Sequence, residues 1–301
     1  MSVWRFDYPA HAAFVAPARA KPQVWRIGMG LVLAAGLFLA LNQMVFGTLL
    51  GLMDPEAAQR LTQTDPPGQT AGAMLFLLCQ LGLLAVSAAL VVIVVHGRRP
   101  WTLIGDPHRA VRQFAAVAVA MVLLTAAVWL LPPYPEGGPM EQNMPFGRWL
   151  LLLPFALTAV LIQSGAEEVF FRGYLQQQLA ARFNTPLVWM VGPAALFGLG
   201  HYFPESAGTN ATTIALWAVA FGLLMADLTA RAGTLGPAMA IHFFNNVTAM
   251  VLMSPPDEMS GLSLYLLPFG YSDEAAVAAW LPVDFAWMFV AWLAARVAIR
   301  A

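Results

Sequence analysis

The sequence predicts an all-α fold, a polytopic transmembrane helical bundle of about eight spans, and three observations support this prediction. Hydrophobic residues make up 59% of the 301 residues, charged residues make up only 10%, and the mean hydropathy is +0.68. Soluble domains usually carry about 25% charged residues, so the composition excludes an ordinary soluble domain. The apolar residues also fall into runs of about 20, which is the length that a helix needs to cross a bilayer.

Eight apolar segments qualify as membrane-spanning helices. They cover residues 27–53, 73–95, 114–132, 149–171, 187–203, 212–230, 235–254 and 276–297. Residues 1–26 form a polar tail that we expect to be loosely ordered, and residues 27–301 form one membrane-embedded domain. The first apolar run is too long to be the core of a signal peptide, and no small-residue cleavage site follows it.

The distribution of charge predicts the orientation in the membrane. Residues 1–26 and 96–113 each contain four basic residues and one acidic residue, a net charge of +3. Acidic side chains dominate the alternate loops, in residues 54–65, 136–148 and 257–274. Because cytoplasmic loops carry the excess of Lys and Arg, both termini are predicted to be cytoplasmic. A multi-pass protein of the plasma or inner membrane is expected for a prokaryotic source, and of the endoplasmic reticulum for a eukaryotic one.

The fourth apolar segment is expected to continue as one long helix to about Phe183, because good helix formers follow it without a glycine–proline cluster. A turn at residues 184–186 would send the fifth helix back beside it. Glu167 and His201 each lie 17 residues from Asn184, which places both about 25 Å from the turn. A second turn is expected at residues 231–234.

Three short polar clusters interrupt the apolar runs. They have the patterns E-E-x-x-x-R, F-x-x-x-H and H-x-x-x-N, formed by Glu167, Glu168 and Arg172, by Phe197 and His201, and by His242 and Asn246. An ionisable side chain in a membrane costs roughly 2.5–3.5 kcal/mol on insertion scales, so it usually has a partner or a function. Carboxylates, imidazoles and amides can move protons and stabilise an oxyanion.

Spacing assigns roles to these residues, with structural alternatives. Glu168 and Arg172 are four residues apart and should pair, whereas Glu167 is turned about 100° away and could act as a general base. These three could instead tether two helices. His242 could hold an oxyanion with Asn246 four residues later, or with Asn245 as a competing partner, and interhelical hydrogen bonding is the structural alternative.

In this order, the three motifs resemble the type II CAAX prenyl proteases and the wider CAAX-protease and bacteriocin-processing family, over about residues 150–250. The resemblance implies a metal-independent intramembrane endopeptidase without a cofactor. In it, Glu167 assisted by His201 activates a water, and His242 and Asn246 stabilise the oxyanion. The pattern selects Asn246 over Asn245. The expected substrate is a membrane-anchored protein or peptide, and eukaryotic members of this family cleave prenylated C-a-a-X proteins.

Other functions remain open at this stage. Glu167, His201 and His242 could bind zinc, which accepts histidine and carboxylate ligands. The fold could serve as a non-enzymatic scaffold or immunity protein, or the carboxylates could relay protons in a transporter. The motif H-E-x-x-H is absent, and with Cys79 as the single cysteine there is no multi-cysteine metal site. Nothing in the sequence indicates a nucleic-acid partner.

Two further acidic residues are given structural roles. Asp227 lies four residues before Arg231, and a surface ion pair is expected. Asp284 follows Pro282, which predicts that the last helix begins there.

Overall fold

The computed structural model describes residues 8–62, 67–130 and 139–300, and these are mostly helical. The main helices in these ranges are α1 (Pro9–Val15), α2 (Val24–Gly51), α3 (Pro55–Thr62), α4 (Ala71–Val94), α5 (Pro107–Leu130), α6 (Phe146–Arg182), α7 (Leu187–Leu199), α8 (Ala211–Ala232), α9 (Gly236–Val247) and α10 (Glu274–Ile299). Three two-residue strands are also present: β1 (Glu141–Gln142), β2 (Met253–Ser254) and β3 (Tyr265–Leu266). The central strand β3 is antiparallel to β1 and parallel to β2.

The predicted class, a polytopic helical bundle, is confirmed. In the part of the chain that the structure describes, six helices are long and apolar enough to cross a membrane: α2, α4, α5, α6, α8 with the short turns before it, and α10. Large apolar side chains such as Val32, Leu151 and Val297 are more than 75% exposed on their outer faces, where lipid would cover them. The protein is therefore an integral, multi-pass membrane protein.

The fifth and seventh predicted spans are helices, but they are shorter than the other six. Helix α7 has 13 residues, and α9 has 12 residues followed by a π-helical turn at Thr248–Leu252. The count of eight spans and the cytoplasmic location of both termini stay predictions. Of these two short helices, α7 carries Phe197 of the F-x-x-x-H motif and α9 carries the whole H-x-x-x-N motif.

The predicted hairpin is present. Helix α6 runs without a break from Phe146 to Arg182, and the chain turns before α7 begins. The rings of Phe171 and Phe197 meet with centroids 5.2 Å apart. Each lies 13 residues from Asn184, so the two helices are antiparallel with the register that the sequence predicts. The second predicted turn is closed by Gly233, whose φ of +67° suits a glycine, with its N–H donating to the carbonyl of Thr229.

The fifth predicted span ends earlier than expected. We predicted a helix over residues 187–203 with His201 on the face of Phe197, but α7 ends at Leu199 and His201 lies in the following turn. Glycine weakens this last turn at positions 198 and 200. Gly198 also allows α8 to approach, because a Cβ there would lie 2.8 Å from the carbonyl oxygen of Ala215.

The prediction that the last helix begins at Pro282 is wrong. Helix α10 begins at Glu274 and continues through Pro282. Asp273 caps it, since its side-chain oxygen accepts a hydrogen bond from the backbone N–H of Ala276 at 3.1 Å. Membrane helices tolerate an internal proline because neighbouring groups satisfy the freed carbonyl.

The described part of the amino-terminal tail is not loosely ordered, as we had expected. Helix α1 buries His11, Phe14 and Val15, and the Tyr8 hydroxyl before it donates to Asp227 at 2.6 Å. The predicted pair of Asp227 with Arg231 is present at 2.8 Å, but it is not the expected surface pair, because Asp227 is buried. The Trp292 indole N–H also donates to Asp227, at 3.1 Å, so this carboxylate joins the tail, α8 and α10. Residues 1–7 lie outside the described ranges.

We expect Asp227→Asn to destabilise the bundle, because it removes the charge that three donors from different segments share. Losing charge-assisted hydrogen bonds of this kind costs about 2 kcal/mol. The measurement is the thermal unfolding midpoint of purified protein in detergent. The matched control is Glu56→Gln, which disrupts the exposed Glu56–Arg60 pair of the same i,i+4 spacing and should leave the midpoint almost unchanged. Equal shifts in the two variants would contradict the role given to Asp227.

Candidate active site

The polar cluster is centred on the carboxylate of Glu168, which is fully buried on α6. Its Oε1 accepts a hydrogen bond from Arg172 Nη1 at 2.8 Å, one helical turn further along. The same oxygen lies 2.8 Å from Nδ1 of His242 on α9. The predicted pair of Glu168 and Arg172 is therefore present, and it includes a third partner that the sequence did not reveal.

The side chain of Arg172 is only 1% exposed, and its guanidinium has partners on several sides. Besides Glu168, it contacts α8 through a bond from Nη2 to the carbonyl of Gly222 at 3.3 Å. Its guanidinium carbon lies 5.1 Å from the ring centroid of Phe197 on α7. Gly222 permits α8 to pack closely against α7, since a Cβ there would lie 2.9 Å from Ala194. One arginine thus contacts three helices.

Glu167 faces the other nitrogen of the same imidazole. Its Oε2 lies 3.4 Å from Nε2 of His242, and the side chain is 13% exposed. Among the described residues, this oxygen is buried and has no hydrogen-bond partner. The ring of His242 therefore lies between two carboxylates.

His201 lies at the edge of the cluster, in the turn after α7. Its Nδ1 is 2.8 Å from the carbonyl oxygen of Phe197. A carbonyl only accepts, so Nδ1 carries the hydrogen, and Nε2 of the neutral ring is left as an acceptor. The ring of Phe197 has its centroid 4.4 Å from that of His201 and 6.0 Å from that of His242. Phe197 thus separates the two imidazoles while contacting both.

The amide of Asn246 makes two hydrogen bonds that the sequence did not predict. Its Nδ2 donates to Oε1 of Gln163 at 2.7 Å, and its Oδ1 accepts from Asn245 at 3.2 Å. Asn245 and Asn246 therefore contact each other. One N–H of the Asn246 side chain remains for a further acceptor. The expected role of Asn246 and His242 as oxyanion donors stays a prediction.

Gln163 is the residue that the sequence interpretation missed. It is 5% exposed and lies four residues before Glu167, on the same face of α6. A signal was available, because a glutamine within an apolar membrane helix needs a hydrogen-bond partner as a histidine does. Its position one turn before the glutamates indicates that its partner lies close to them.

The zinc alternative requires Glu167, His201 and His242 to converge on one point. Within residues 8–62, 67–130 and 139–300, no group of three or more His, Cys, Asp or Glu side chains is arranged to hold a metal ion. The set Glu167, His201 and His242 is therefore not such a group. Both nitrogens of His242 face carboxylate oxygens, whereas Nδ1 of His201 is bonded to a backbone carbonyl.

Comparison with known proteins agrees with the motifs. Residues 149–248 match the family model described as type II CAAX prenyl endopeptidase Rce1-like. The chain is also 24% identical over 258 residues to the Bacillus subtilis (strain 168) protein named "Uncharacterized protein YyaK". This alignment covers 83% of this chain and 84% of that protein. No solved structure matches significantly.

Fold and comparison together define the class: a multi-pass membrane protein whose residues 149–248 are similar to the Rce1-like family. The match confirms the resemblance predicted from the three motifs, over a segment that runs from α6 through α9 and contains all of them. The Rce1-like family is generally one of proteases. The individual roles of the site residues stay predictions.

We expect Arg172→Met to destabilise the protein more than Glu167→Gln. The methionine keeps much of the length of the side chain but leaves Glu168 as an uncompensated buried charge, which typically costs about 3–5 kcal/mol. Glu167→Gln is the control, because it retains the shape of a residue that makes no direct bond to Arg172. The thermal midpoints of both variants, measured in the same detergent, provide the comparison. Equal midpoints would refute the positioning role of Arg172.

Proposed function

We propose that this protein is an intramembrane endopeptidase in which Glu167 activates a water for attack on a peptide bond. The observation that carries the proposal is the state of Glu167 Oε2, a buried carboxylate oxygen without a hydrogen-bond partner among the described residues. An acceptor of this kind is costly to keep in a fold unless it binds something. A water held there would donate one hydrogen to the carboxylate and present its lone pair to a substrate.

The chemistry can be written with the residues in these positions. Glu167 takes a proton from the water as its oxygen bonds to the peptide carbonyl carbon, and His201 assists by accepting at Nε2. The carbonyl oxygen becomes an oxyanion, stabilised by His242 and by the remaining amide N–H of Asn246. When the C–N bond breaks, the proton on Glu167 passes to the leaving amine. The products are an amine and a carboxylic acid, which releases its remaining proton to solvent and leaves as a carboxylate.

The supporting residues position these groups. Glu168 bonds Nδ1 of His242 and leaves Nε2 turned toward Glu167, a role typical of a carboxylate behind a functional imidazole. Arg172 in turn holds Glu168. Gln163 and Asn245 orient the amide of Asn246. In this proposal, His242 serves as an oxyanion donor and lies between the carboxylates of Glu167 and Glu168.

The substrate class follows from the resemblance and the location. We propose a membrane-anchored protein or peptide whose scissile bond enters from the predicted cytoplasmic side. A peptide ending in a lipid-modified C-a-a-X sequence is the first candidate, since the matched family model is described as a prenyl endopeptidase.

Glu167→Gln should lower turnover by about 10²–10⁴-fold, the contribution of a positioned general base. The assay measures cleavage of a panel of synthetic membrane-anchored peptides, including prenylated C-a-a-X peptides, by protein reconstituted in lipid. Glu205→Gln, an exposed glutamate outside the cluster, is the matched control and should retain activity. Full activity in Glu167→Gln would overturn the assignment. Failure of the unchanged protein on every peptide would favour a non-enzymatic scaffold.

Metal removal separates the glutamate mechanism from the zinc alternative. We expect turnover to be unchanged after exhaustive treatment with a strong chelator, and the purified protein to contain less than one metal ion per chain. A zinc enzyme would lose activity and regain it on adding metal, because the metal generates the nucleophile. Elemental analysis and activity are measured on the same sample. One zinc per chain, lost with activity in His201→Ala, would establish the alternative.

A further inference from the structure

Two neighbouring helix ends bring basic side chains together away from the active site. Helix α2 begins at Val24 and α4 ends at Val94. These ends are adjacent, because Nη1 of Arg26 donates to the carbonyl of Val95 at 2.5 Å. The surplus of Lys and Arg places this end on the predicted cytoplasmic side.

Three cations, Lys21, Arg26 and Arg98, lie around the end of α4. The Lys21 ammonium lies 2.9 Å from the position that a Cβ on Gly97 would take. His96 is buried beside them, and the positive charges of all three disfavour its protonated form. None of the ion pairs formed by the described residues includes any of the three. The cluster is therefore a local excess of positive charge without a carboxylate partner.

The two arginines also carry hydrogen-bond donors that nothing in the described structure accepts. Arg26 Nε, Arg98 Nε and Arg98 Nη2 are buried and have no partner there. Burial lowers the pKa of Arg98 to about 10. Burial, with the repulsion of Arg98 next, lowers the pKa of His96 to about 4, so the histidine remains neutral and adds no charge. Buried cationic donors of this kind are stabilised by an anion with several acceptor oxygens.

Aromatic side chains mark the depth of this cluster. Trp25 and Trp101 are 58% and 54% exposed. The guanidinium of Arg26 lies 4.5 Å from the Trp25 ring centroid, and that of Arg99 lies 5.2 Å from the Trp101 ring centroid. Exposed tryptophans of membrane proteins gather at the level of the lipid headgroups. Phospholipid phosphates lie at the same level of a bilayer and are anions with several acceptor oxygens.

We propose that Lys21, Arg26 and Arg98 form a binding site for the headgroup phosphate of an anionic phospholipid in the leaflet on the predicted cytoplasmic side. Basic pockets between membrane helices on this side are suited to such lipids. The site also contacts the active-site helix, since Arg98 Nη1 donates to Gln177 Oε1 on α6 at 2.5 Å. The proposal depends on the membrane location and not on the peptidase activity.

The test is native mass spectrometry of the purified protein, titrated separately with phosphatidylglycerol and with phosphatidylcholine. The test variant is Arg26→Gln/Arg98→Gln. The matched control is Arg109→Gln/Arg112→Gln, which removes two exposed arginines from the same basic region. Each basic side chain near an anionic surface contributes about fivefold in affinity, so the double variant should bind phosphatidylglycerol about 30-fold more weakly. The control and the phosphatidylcholine titration should not show this loss.

Two arms keep the proposal falsifiable. Inorganic phosphate is added as a competitor, and displacement of the lipid at equal concentration would mean that the site takes a free phosphate and would overturn the proposal. Equal weakening of binding in the test and control variants would overturn it too, by showing a diffuse charge effect. If the double variant does not fold, Lys21→Gln replaces it, with an expected loss of about fivefold. Unchanged affinity in that variant would overturn the proposed three-residue site.

Discussion

The carboxylate of Glu168 is the group on which the central bundle depends. It is inaccessible to solvent, and one of its oxygens is bonded both to Arg172 within α6 and to His242 on α9. Arg172 also donates to the backbone carbonyl of Gly222 on α8. A single series of charge-assisted contacts therefore joins α6, α8 and α9. In lipid, where apolar packing provides little preference between helix faces, such contacts determine which faces meet. The same contacts present the second nitrogen of His242 to Glu167.

The cluster imposes strict demands on its neighbours. Charges removed from water must be matched nearly in full, and removing one partner leaves a cost of several kcal/mol. Phe197 helps to meet this demand by covering the guanidinium of Arg172 with its ring and by separating His201 from His242. The close approach of α7 to α8 also requires small residues on both helices. Gly222 on α8 is one of them, because a Cβ there would meet Ala194 on α7.

The sequence predicted those features that depend on one helix or one turn. The apolar segments, the hairpin register around Asn184 and the i,i+4 pair of Glu168 and Arg172 follow from helix geometry alone, and they are present. The orientation of a side chain between helices does not follow from it. Asn246 could have faced His242 or Gln163 from the same helical position, and only the packing of α9 on α6 selects Gln163. The early end of α7 was missed because the apolar run continues to Phe203, although glycines weaken the helix before His201.

The π-helical segment Val169–Gln176 lies between two polar regions of α6. The first is the carboxylate cluster at Glu168, and the second is formed by the buried glutamines that begin at Gln176. The π-helical segment begins immediately after Glu168, so the glutamates are held at the end of regular α-helix while the chain beyond them is shifted in register. A π turn adds a residue and rotates the following side chains by about 100° relative to an unbroken α-helix. As a result, Gln176 reaches the carbonyl of Ala226 on α8 and Gln177 reaches the carbonyl of Thr102, while neither side chain faces lipid. Irregular turns of this kind cost backbone hydrogen bonding and recur at functional sites. Here the π-helical segment allows one helix to hold the carboxylate cluster and, about two turns later, the hydrogen bonds of Gln176 and Gln177.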